Sequence, residues 1–280
     1  MSHALAQDHI AGVIFFAGNI ESPEQVLALT TFFKQTSSLT PLIALDQEGG
    51  RVQRLSSKNG FKDFLSAKEV AQKYTPNEAY IYYLEMAQQI QHAGFNYVLG
   101  PVVDLDTLSS PVIGGMGRSY AHDPEIVVSY ANAFVRAHHA HGLLTSFKHF
   151  PGHGFASGDT HRGLVDVTQT FAGAELEPFK VLIQQGVVDS IMTAHVLHRE
   201  WDMDHPATLS PLILKGILRE QLGYDGVVIT DDLHMGALQD IPTNDLVKQA
   251  ILAGNDLLLF SNNPLARKGM PQEDIGKVCE

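Results

Sequence analysis

The strongest constraint on the fold is a regular alternation of short apolar runs with longer helix-like segments along the chain. Each run is nearly continuous in Val, Ile, Leu or Phe, as buried parallel strands are, whereas half-exposed antiparallel strands alternate apolar with polar residues. Seven strands are predicted in this way, at residues 12–16, 41–46, 95–99, 143–148, 189–193, 226–230 and 256–260.

Signals for helix ends occupy the intervals between these runs. Four intervals contain a side chain that can cap a helix, followed by a proline suited to its first turn: Ser22-Pro23, Thr75-Pro76, Asp123-Pro124 and Ser210-Pro211. Four glycines stand where a helix should end before the next strand: Gly94, Gly142, Gly223 and Gly254. The pattern indicates repeated strand–helix units.

A series of such units predicts an α/β protein with a (β/α)8 barrel of the TIM type. The chain opens almost directly on a strand, so a barrel in which the first strand is absent or altered is one expectation. An open doubly wound sheet is the alternative, but no GxGxxG fingerprint follows the first predicted strand. No linker rich in Pro, Ser or Gly divides the sequence, which predicts a single domain over residues 1–280.

Charge and cysteine content argue against several classes of partner and compartment. The net charge is −12 with the acidic residues spread along the chain, whereas nucleic acid and anionic membranes require clustered Lys and Arg. Cys279 is the single cysteine, so no internal disulfide can form. The sequence contains neither an apolar run of roughly 18 residues nor the start of a signal peptide, and we predict a cytoplasmic protein.

Titratable side chains are densest in TSFKHFPGHGFASGDTH, residues 145–161, which begins in a predicted strand and continues into a glycine-rich loop. This segment contains Lys148, His149, His153, Asp159 and His161. In a barrel, catalytic groups come from the carboxyl ends of the strands. The segment is therefore the first candidate for an active site.

Other predicted strands also end in polar residues. These residues are Asp46, Glu48, Arg51 and Arg54 after the second strand, Asp104, Asp106 and Arg118 after the third, His195 after the fifth, and Asp231 and Asp232 after the sixth. They are distant in sequence but converge on one mouth if the sheet closes into a barrel. Convergence of this kind predicts a functional site.

Two pairs of residues suggest catalytic roles. Asp231 and Asp232 are neighbours on a strand and face opposite sides; Asp232 suits the N-cap of a helix over 233–238, which leaves Asp231 as a cavity carboxylate. That carboxylate could be a nucleophile, a general base or a metal ligand. Asp159 can orient the imidazole of His161 and raise the basicity of its other nitrogen, as required of an acid/base residue.

Three cationic side chains, Arg54, Arg118 and Lys148, are predicted to be fixed hydrogen-bond donors to a polyhydroxylated or anionic ligand. His195 is consistent either with a further donor or with a core histidine.

Other functions use overlapping residues. A metallohydrolase would use His149, His153, His161 and Asp231, although a Pro-Gly turn between the first two excludes helical ligand geometry. A Schiff-base enzyme would use Lys148, but nothing in the sequence indicates a lowered pKa for its amine. A non-catalytic sugar-binding module would need the same arginines but would not need Asp231 together with the Asp159–His161 pair.

Taken together, several motifs resemble glycoside hydrolase family 3, and in particular its single-domain β-N-acetylglucosaminidases (β-N-acetylhexosaminidases). The motifs are ALDQEGGRVQRL (44–55), GPVVDLD (100–106), GRSY (117–120), KHFPGHG (148–154), DTH (159–161), MTAHV (192–196) and ITDDLHM (229–235). The resemblance implies a retaining hydrolase with a covalent glycosyl-enzyme intermediate, acting on small carbohydrates such as the muropeptides of peptidoglycan recycling. It implies no cofactor and no metal.

The resemblance also implies roles for individual residues. Asp231 matches the nucleophile, His161 the acid/base residue and Asp159 its partner in a His–Asp dyad. The positions that match contacts to N-acetylglucosamine in the −1 site are Asp46, Arg54, Arg118, Lys148 and His149. A family 3 β-glucosidase and an N-acetylglucosaminide phosphorylase remain alternatives within the same family.

Overall fold

A computed structural model describes residues 2–261 except Asp8 and Leu108. Its strands are β1 (Gly12–Phe15), β2 (Leu42–Leu45), β3 (Gln47–Gly49), β4 (Val52–Gln53), β5 (Tyr97–Val98), β6 (Leu144–Phe150), β7 (Val165–Asp166), β8 (Ser190–Thr193), β9 (Val196–Leu197) and β10 (Val227–Thr230). Six of them form one parallel sheet in the order β1-β2-β5-β6-β8-β10. The first six predicted strands are thereby confirmed, and their parallel pairing agrees with their continuous apolarity.

The seventh predicted strand, 256–260, pairs less extensively than expected. It forms one parallel bridge, between Leu257 and Ile229 of β10, and no longer ladder within the described part of the chain. The reason is local: the backbone N–H of Leu259 donates to the Thr230 hydroxyl, 2.9 Å away, and the ladder does not continue there. This segment nevertheless lies beside β10, where a barrel strand belongs.

Helices cover the outer face of the sheet, as the capping signals predicted. The α-helices are α1 (Ser2–Ala6), α2 (Pro23–Thr36), α3 (Ala67–Lys73), α4 (Pro76–His92), α5 (Pro124–His139), α6 (Glu177–Gln184) and α7 (Thr243–Ala253), with a π-helix at Leu212–Gln221. Short 3-10 turns lie at Ala17–Asn19, Ser57–Asn59, Gly114–Met116, Gly173–Leu176, Ala207–Leu209 and Gly236–Leu238. Side chains of Ser22, Thr75 and Asp123 cap α2, α4 and α5. No helix among the described residues is long and apolar enough to span a membrane.

The sheet is curled around a small apolar cluster on its concave side. Ala44, Tyr97, Leu99, Met192 and Ile229 form the buried part of this cluster, and Ile14, Leu42, Leu257 and Leu259 pack against it. Residues of the first strand and of the last segment therefore share one interior, which is the arrangement of a (β/α) barrel. The carboxyl ends of the strands open on one side of this interior, and the site described next lies there.

Candidate active site

Two carboxylates and three cations form a connected network at the carboxyl ends of β2 and β6. The Lys148 amine lies 2.8 Å from Asp46 Oδ1 and 2.7 Å from Glu48 Oε1. Arg54 Nη2 donates to Asp46 Oδ2 at 2.7 Å. Arg118 binds Glu48 with two parallel hydrogen bonds, from Nε and Nη2, both 2.8 Å long. The bidentate geometry is the strong form of an arginine–carboxylate pair.

The local fold explains how these side chains meet. Asp46 and Glu48 are two residues apart in extended backbone and so project to the same side. Lys148 lies two strands away across the sheet, roughly 10 Å, a distance that its long side chain spans on the concave side. Only 2% of the Lys148 side chain is exposed. The amine is thus a buried cation with two ionic partners.

Protonation in the network is set by burial and by its ion pairs. Burial alone would raise the pKa of Asp46, but the Lys148 and Arg54 cations outweigh it and hold that pKa well below its usual range. Burial is likewise outweighed at Glu48, whose pKa falls to about 2 beside Arg118 and Lys148. Burial opposes the charge of Lys148, yet Asp46 and Glu48 raise its pKa. All three groups are therefore charged at neutral pH.

Asp104 organises the first half of the glycine-rich segment. Its fully buried carboxylate accepts the backbone N–H of His149 at 3.1 Å and the backbone N–H of His153 at 2.9 Å. It also lies 2.7 Å from Nδ1 of His149. The Nε2 atom of His149 then lies 3.4 Å from Arg118 Nη2, at the edge of the ion network. Asp104 thereby fixes both the backbone and the ring of His149.

Asp159 and His161 are in direct contact. Asp159 Oδ1 lies 2.8 Å from Nδ1 of His161 and also accepts the backbone N–H of that residue at 3.0 Å. Burial raises the pKa of Asp159, but the hydrogen bonds and charge of His161 bring it below its ordinary value. An ionised carboxylate at Nδ1 leaves Nε2 as the free nitrogen of the ring.

The loop that carries this pair is bonded to the segment that follows Asp231. The backbone N–H of Gly236 donates to the carbonyl of His161 at 3.2 Å, and that of Ala237 donates to the carbonyl of Thr160 at 3.0 Å. A Cβ atom at residue 236 would lie 2.5 Å from the His161 carbonyl oxygen, so glycine is required for this approach. The imidazole is thus held on the same side of the sheet as Asp231.

The prediction that Asp232 is the N-cap of a helix over 233–238 is wrong. Only a 3-10 turn, Gly236–Leu238, forms there. Asp232 instead accepts the backbone N–H groups of His234 (3.1 Å) and Ser261 (3.0 Å) as well as the Ser261 hydroxyl. Three donors outside a helix outweigh the capping preference, and Asp232 ties β10 to the end of the segment 256–261.

Asp231 is half-buried and turned toward the histidines. Burial would raise the pKa of its carboxyl, but His195, His149 and the backbone N–H of Asp232 together lower it. The last of these donates to Asp231 Oδ1 at 2.7 Å. Asp231 is therefore an ionised carboxylate at neutral pH.

His195, for which the sequence left two interpretations, is a core histidine beneath the site. Its Nε2 lies 3.0 Å from the carbonyl of Asp232 and its Nδ1 lies 2.8 Å from the Thr208 hydroxyl. The residue is fully buried, and burial lowers the pKa of its ring. Through the first of these contacts it supports the backbone at Asp232.

Three functional candidates were missed by sequence reasoning or left without a role. Glu48 was predicted to lie at the end of the second strand but was given no role, although its two-residue spacing from Asp46 could have indicated that both side chains project to the same side. Asp104 lies in the GPVVDLD motif, but its partners could not be read from spacing. Glu175 carries no sequence signal: it lies in the 3-10 turn before α6, is 1% exposed and accepts the backbone N–H of Gly154 at 2.7 Å.

The residues predicted as ligands for a metallohydrolase are not grouped around a common point, and two of the histidines have other partners. Among the described residues, no group of three or more His, Cys, Asp or Glu is arranged to hold a metal ion. His149 is engaged by Asp104, and Nε2 of His153 lies 3.3 Å from the Thr160 hydroxyl. Burial lowers the pKa of His153 to about 4, so that ring is a neutral, buried side chain.

Residues 1–277 match the N-terminal domain of glycosyl hydrolase family 3. The chain belongs to this family. It is 40% identical over 271 residues to a protein of Hydrogenovibrio crunogenus named beta-hexosaminidase, with 92% of this chain and 73% of the relative covered. A Pseudomonas aeruginosa protein of the same name is 36% identical over 267 residues, with 92% and 77% covered.

Solved structures of β-N-acetylglucosaminidases are also similar to this family 3 chain. A β-N-acetylglucosaminidase of Paenibacillus sp. superimposes with a TM-score of 0.86 at 35% identity, covering 93% of this chain and 50% of that one. NagZ of Neisseria gonorrhoeae in complex with N-trifluoroacetyl-D-glucosamine has a TM-score of 0.85 at 29% identity, covering 100% and 85%. The predicted family, the α/β barrel architecture and the class of glycoside hydrolases are thus confirmed.

Proposed function

We propose that this family 3 chain is a retaining β-N-acetylglucosaminidase that removes terminal β-linked N-acetylglucosamine from small carbohydrates. The observation that carries the proposal is the Asp159–His161 pair, bonded through residues 160 and 161 to the segment just after Asp231. These bonds attach the oriented imidazole to the chain that follows the ionised Asp231 carboxylate. The names of the family 3 relatives and of the solved structures support the choice of sugar.

In the first step, the Asp231 carboxylate attacks the anomeric carbon and the bond from that carbon to the leaving oxygen breaks. His161 donates the Nε2 proton to the leaving oxygen, so the aglycone departs as an alcohol. The product on the enzyme is a glycosyl ester of Asp231. Asp159 stabilises the imidazole orientation from the Nδ1 side.

In the second step, water attacks the anomeric carbon of that ester. His161, now without its Nε2 proton, accepts a proton from the water, and the Asp231 carboxylate is released. The sugar leaves with the β configuration retained after two displacements. A histidine in this role adds no second carboxylate beside the nucleophile, in contrast to the usual pair of acids.

The ion network is proposed to bind the N-acetylglucosamine through Asp46, Arg54, Arg118, Lys148 and His149. Asp46 offers acceptor oxygens to sugar hydroxyls, and the cations offer donors at fixed positions because their partners hold them. Arg54 Nε is a buried donor with no hydrogen-bond partner among the described residues, which favours a ligand contact there.

The test is release of 4-nitrophenol from its N-acetyl-β-D-glucosaminide by the full chain, with and without a strong chelator. We expect chelator-resistant turnover that falls at least about a hundredfold in Asp231→Asn and, for substrates with poor leaving groups, in His161→Ala. Chelator-sensitive turnover would favour the metallohydrolase, and folded protein without turnover would favour a sugar-binding barrel.

A second experiment tests the covalent step. A 5-fluoro N-acetylglucosaminyl fluoride slows the second displacement, so intact mass should rise by one fluorosugar and peptide mapping should place it on Asp231. Labelling at another residue would exclude Asp231 as the nucleophile. Adding inorganic phosphate during turnover separates hydrolysis, which yields free sugar, from phosphorolysis, which yields a sugar phosphate.

The natural substrate is proposed to be a fragment of peptidoglycan, with turnover in the cytoplasm by a single domain. This rests on the resemblance and on the sequence, and it is tested by comparing kcat/KM for a muropeptide that carries terminal N-acetylglucosamine with that for chitobiose. Preference for chitobiose would exclude peptidoglycan recycling as the main role.

A further inference from the structure

We propose that Glu175 is a positioning residue for the acid/base loop, residues 154–161, and that it acts by holding the start of that loop through backbone amides. The inference rests on the proposed function, because it assigns to the loop the delivery of His161. Glu175 itself is placed outside the sugar-binding network and contacts no proposed catalytic side chain.

The contacts of the Glu175 carboxyl group define this role. Oε1 accepts the backbone N–H of Gly154 at 2.7 Å and that of Phe155 at 3.4 Å. The residue is 1% exposed, so these bonds are shielded from competing water. This buried acceptor therefore helps to fix the direction in which the chain leaves residues 151–154, together with the Thr107 hydroxyl, which donates to the Gly154 carbonyl.

The Glu175 side chain is closely packed against the glycine-rich turn. A Cβ atom at residue 152 would lie 2.6 Å from Cβ and 2.7 Å from Oε1 of Glu175, so the side chain rests against the bare backbone of Gly152. Gly154 is equally confined, because a Cβ there would lie 2.2 Å from the carbonyl oxygen of Leu105. Gly152, Gly154 and the Glu175 carboxyl group are therefore packed closely together at the start of the loop.

The far end of the loop is held independently, by the amides of Gly236 and Ala237 on the carbonyls of His161 and Thr160. The loop is therefore fixed at both ends, and its interior contains Asp159. Releasing the Glu175 end would let residues 154–159 shift while residues 160 and 161 stay attached. Asp159 would then move relative to His161 and no longer hold the imidazole toward the leaving oxygen. A displacement of about 1 Å is enough to reduce proton transfer strongly.

The experiment compares Glu175→Ala with Glu175→Gln, which keeps a carbonyl oxygen for the two amides. Each is assayed on the phenyl glycoside, whose leaving group needs a proton, and on the 2,4-dinitrophenyl glycoside, whose leaving group does not. For Glu175→Ala we expect kcat/KM to fall about tenfold or more on the phenyl glycoside and less than about threefold on the other. Glu175→Gln should stay within about threefold of wild type on both.

A second readout does not depend on catalysis. Arg162 immediately follows the loop and its side chain is 88% exposed, so limited trypsin digestion after Arg162 reports loop mobility. Cleavage there should be at least about threefold faster in Glu175→Ala than in wild type and Glu175→Gln, with circular dichroism confirming that all three are folded.

The outcomes separate this inference from the proposed function. If wild type is inactive, or if His161→Ala loses activity equally on both glycosides, the proposed function fails. If His161→Ala is selective but Glu175→Ala loses activity equally on both, or leaves both activities and the Arg162 cleavage unchanged, only the role of Glu175 is wrong. Equal losses in Glu175→Gln and Glu175→Ala would also overturn it.

Discussion

Oδ1 of Asp159 accepts the backbone N–H of His161 and also lies 2.8 Å from its ring Nδ1, so one oxygen fixes both the backbone and the imidazole of the same residue. Because the two residues are only two apart, the pair is a local structure that forms within the loop. Placement of the pair relative to Asp231 therefore depends on how the loop is attached at its ends.

Replacing Asp159 by Asn should damage proton transfer without unfolding the protein. The amide can still accept the backbone N–H but no longer stabilises a protonated ring, so kcat/KM for the phenyl glycoside should fall about a hundredfold. The 2,4-dinitrophenyl glycoside should be much less affected in its first step, measured as the burst of released phenol. Equal losses on both substrates would contradict the acid/base role of the pair.

Removing the buried amine of Lys148 should cost far more stability than removing an exposed one. Lys148→Met leaves Asp46 and Glu48 buried with one cation fewer, and the free energy of unfolding in urea should fall by about 3–5 kcal/mol. Lys62 is the matched control: it pairs with Glu85 at 2.6 Å, but both side chains are about half exposed. Lys62→Met should lower the free energy of unfolding by less than about 1 kcal/mol. Similar decreases for the two variants would show that burial of the Lys148 amine does not determine the cost of its removal.

Gly236→Ala should act at the other end of the loop. Its new methyl group would meet the backbone of His161 and Arg162, which can move only if the loop moves. We expect at least a tenfold loss, about 1.4 kcal/mol, on the phenyl glycoside. Gly163→Ala is the control, since no atom of the described residues beyond its chain neighbours lies within 4 Å of a Cβ at that position, and it should leave both rates unchanged.

The pH dependence of stability should reveal the environment of Glu175. Burial and the nearby Asp104 carboxylate raise the pKa of Glu175 from 4.5 to about 8 in the folded protein. The folded state therefore keeps a proton that the unfolded chain releases, and this residue makes the free energy of unfolding fall as pH rises from about 4.5 to 8.

The side chain in Glu175→Gln cannot titrate, so this variant should lack the pH-dependent contribution of Glu175 to the free energy of unfolding. Its stability relative to wild type should increase with pH across that window, by up to about 1.4 kcal/mol per pH unit. Urea unfolding of both proteins at pH 5, 6, 7 and 8 measures the difference. A constant difference at all four values would show that the carboxyl titrates normally.

The sequence was informative wherever structure is local. Continuous apolarity identified six strands, and Ser22, Thr75 and Asp123 cap their helices because capping needs only neighbouring amides. It also brought together Asp46, Lys148 and Arg118, because strands that run parallel present their carboxyl ends on one side.

Sequence reasoning failed where a distant partner decides the outcome. Asp232 has the residue type and position of an N-cap, but Ser261, 29 residues later, supplies better donors. Glu175 lies 21 residues from the amide of Gly154, and no periodicity connects them. The backbone N–H of Leu259 donates to the Thr230 hydroxyl instead of to a backbone carbonyl of β10. Each of these contacts depends on tertiary packing, which residue spacing does not encode.

The hydrogen bonds from Ser261 to Asp232 attach the residue next to Asp231 to the segment 256–261. Equilibria that share a structural element are reciprocal: a sugar that orders residues 231 and 232 must also stabilise that segment, to the same extent that the segment favours the sugar. The protection of the Leu257 amide against hydrogen exchange, which its bond to Val228 provides, should then rise with occupancy of the sugar site. Hydrogen exchange at Leu257 would then report binding at the proposed sugar site from a segment that makes no proposed contact with the sugar.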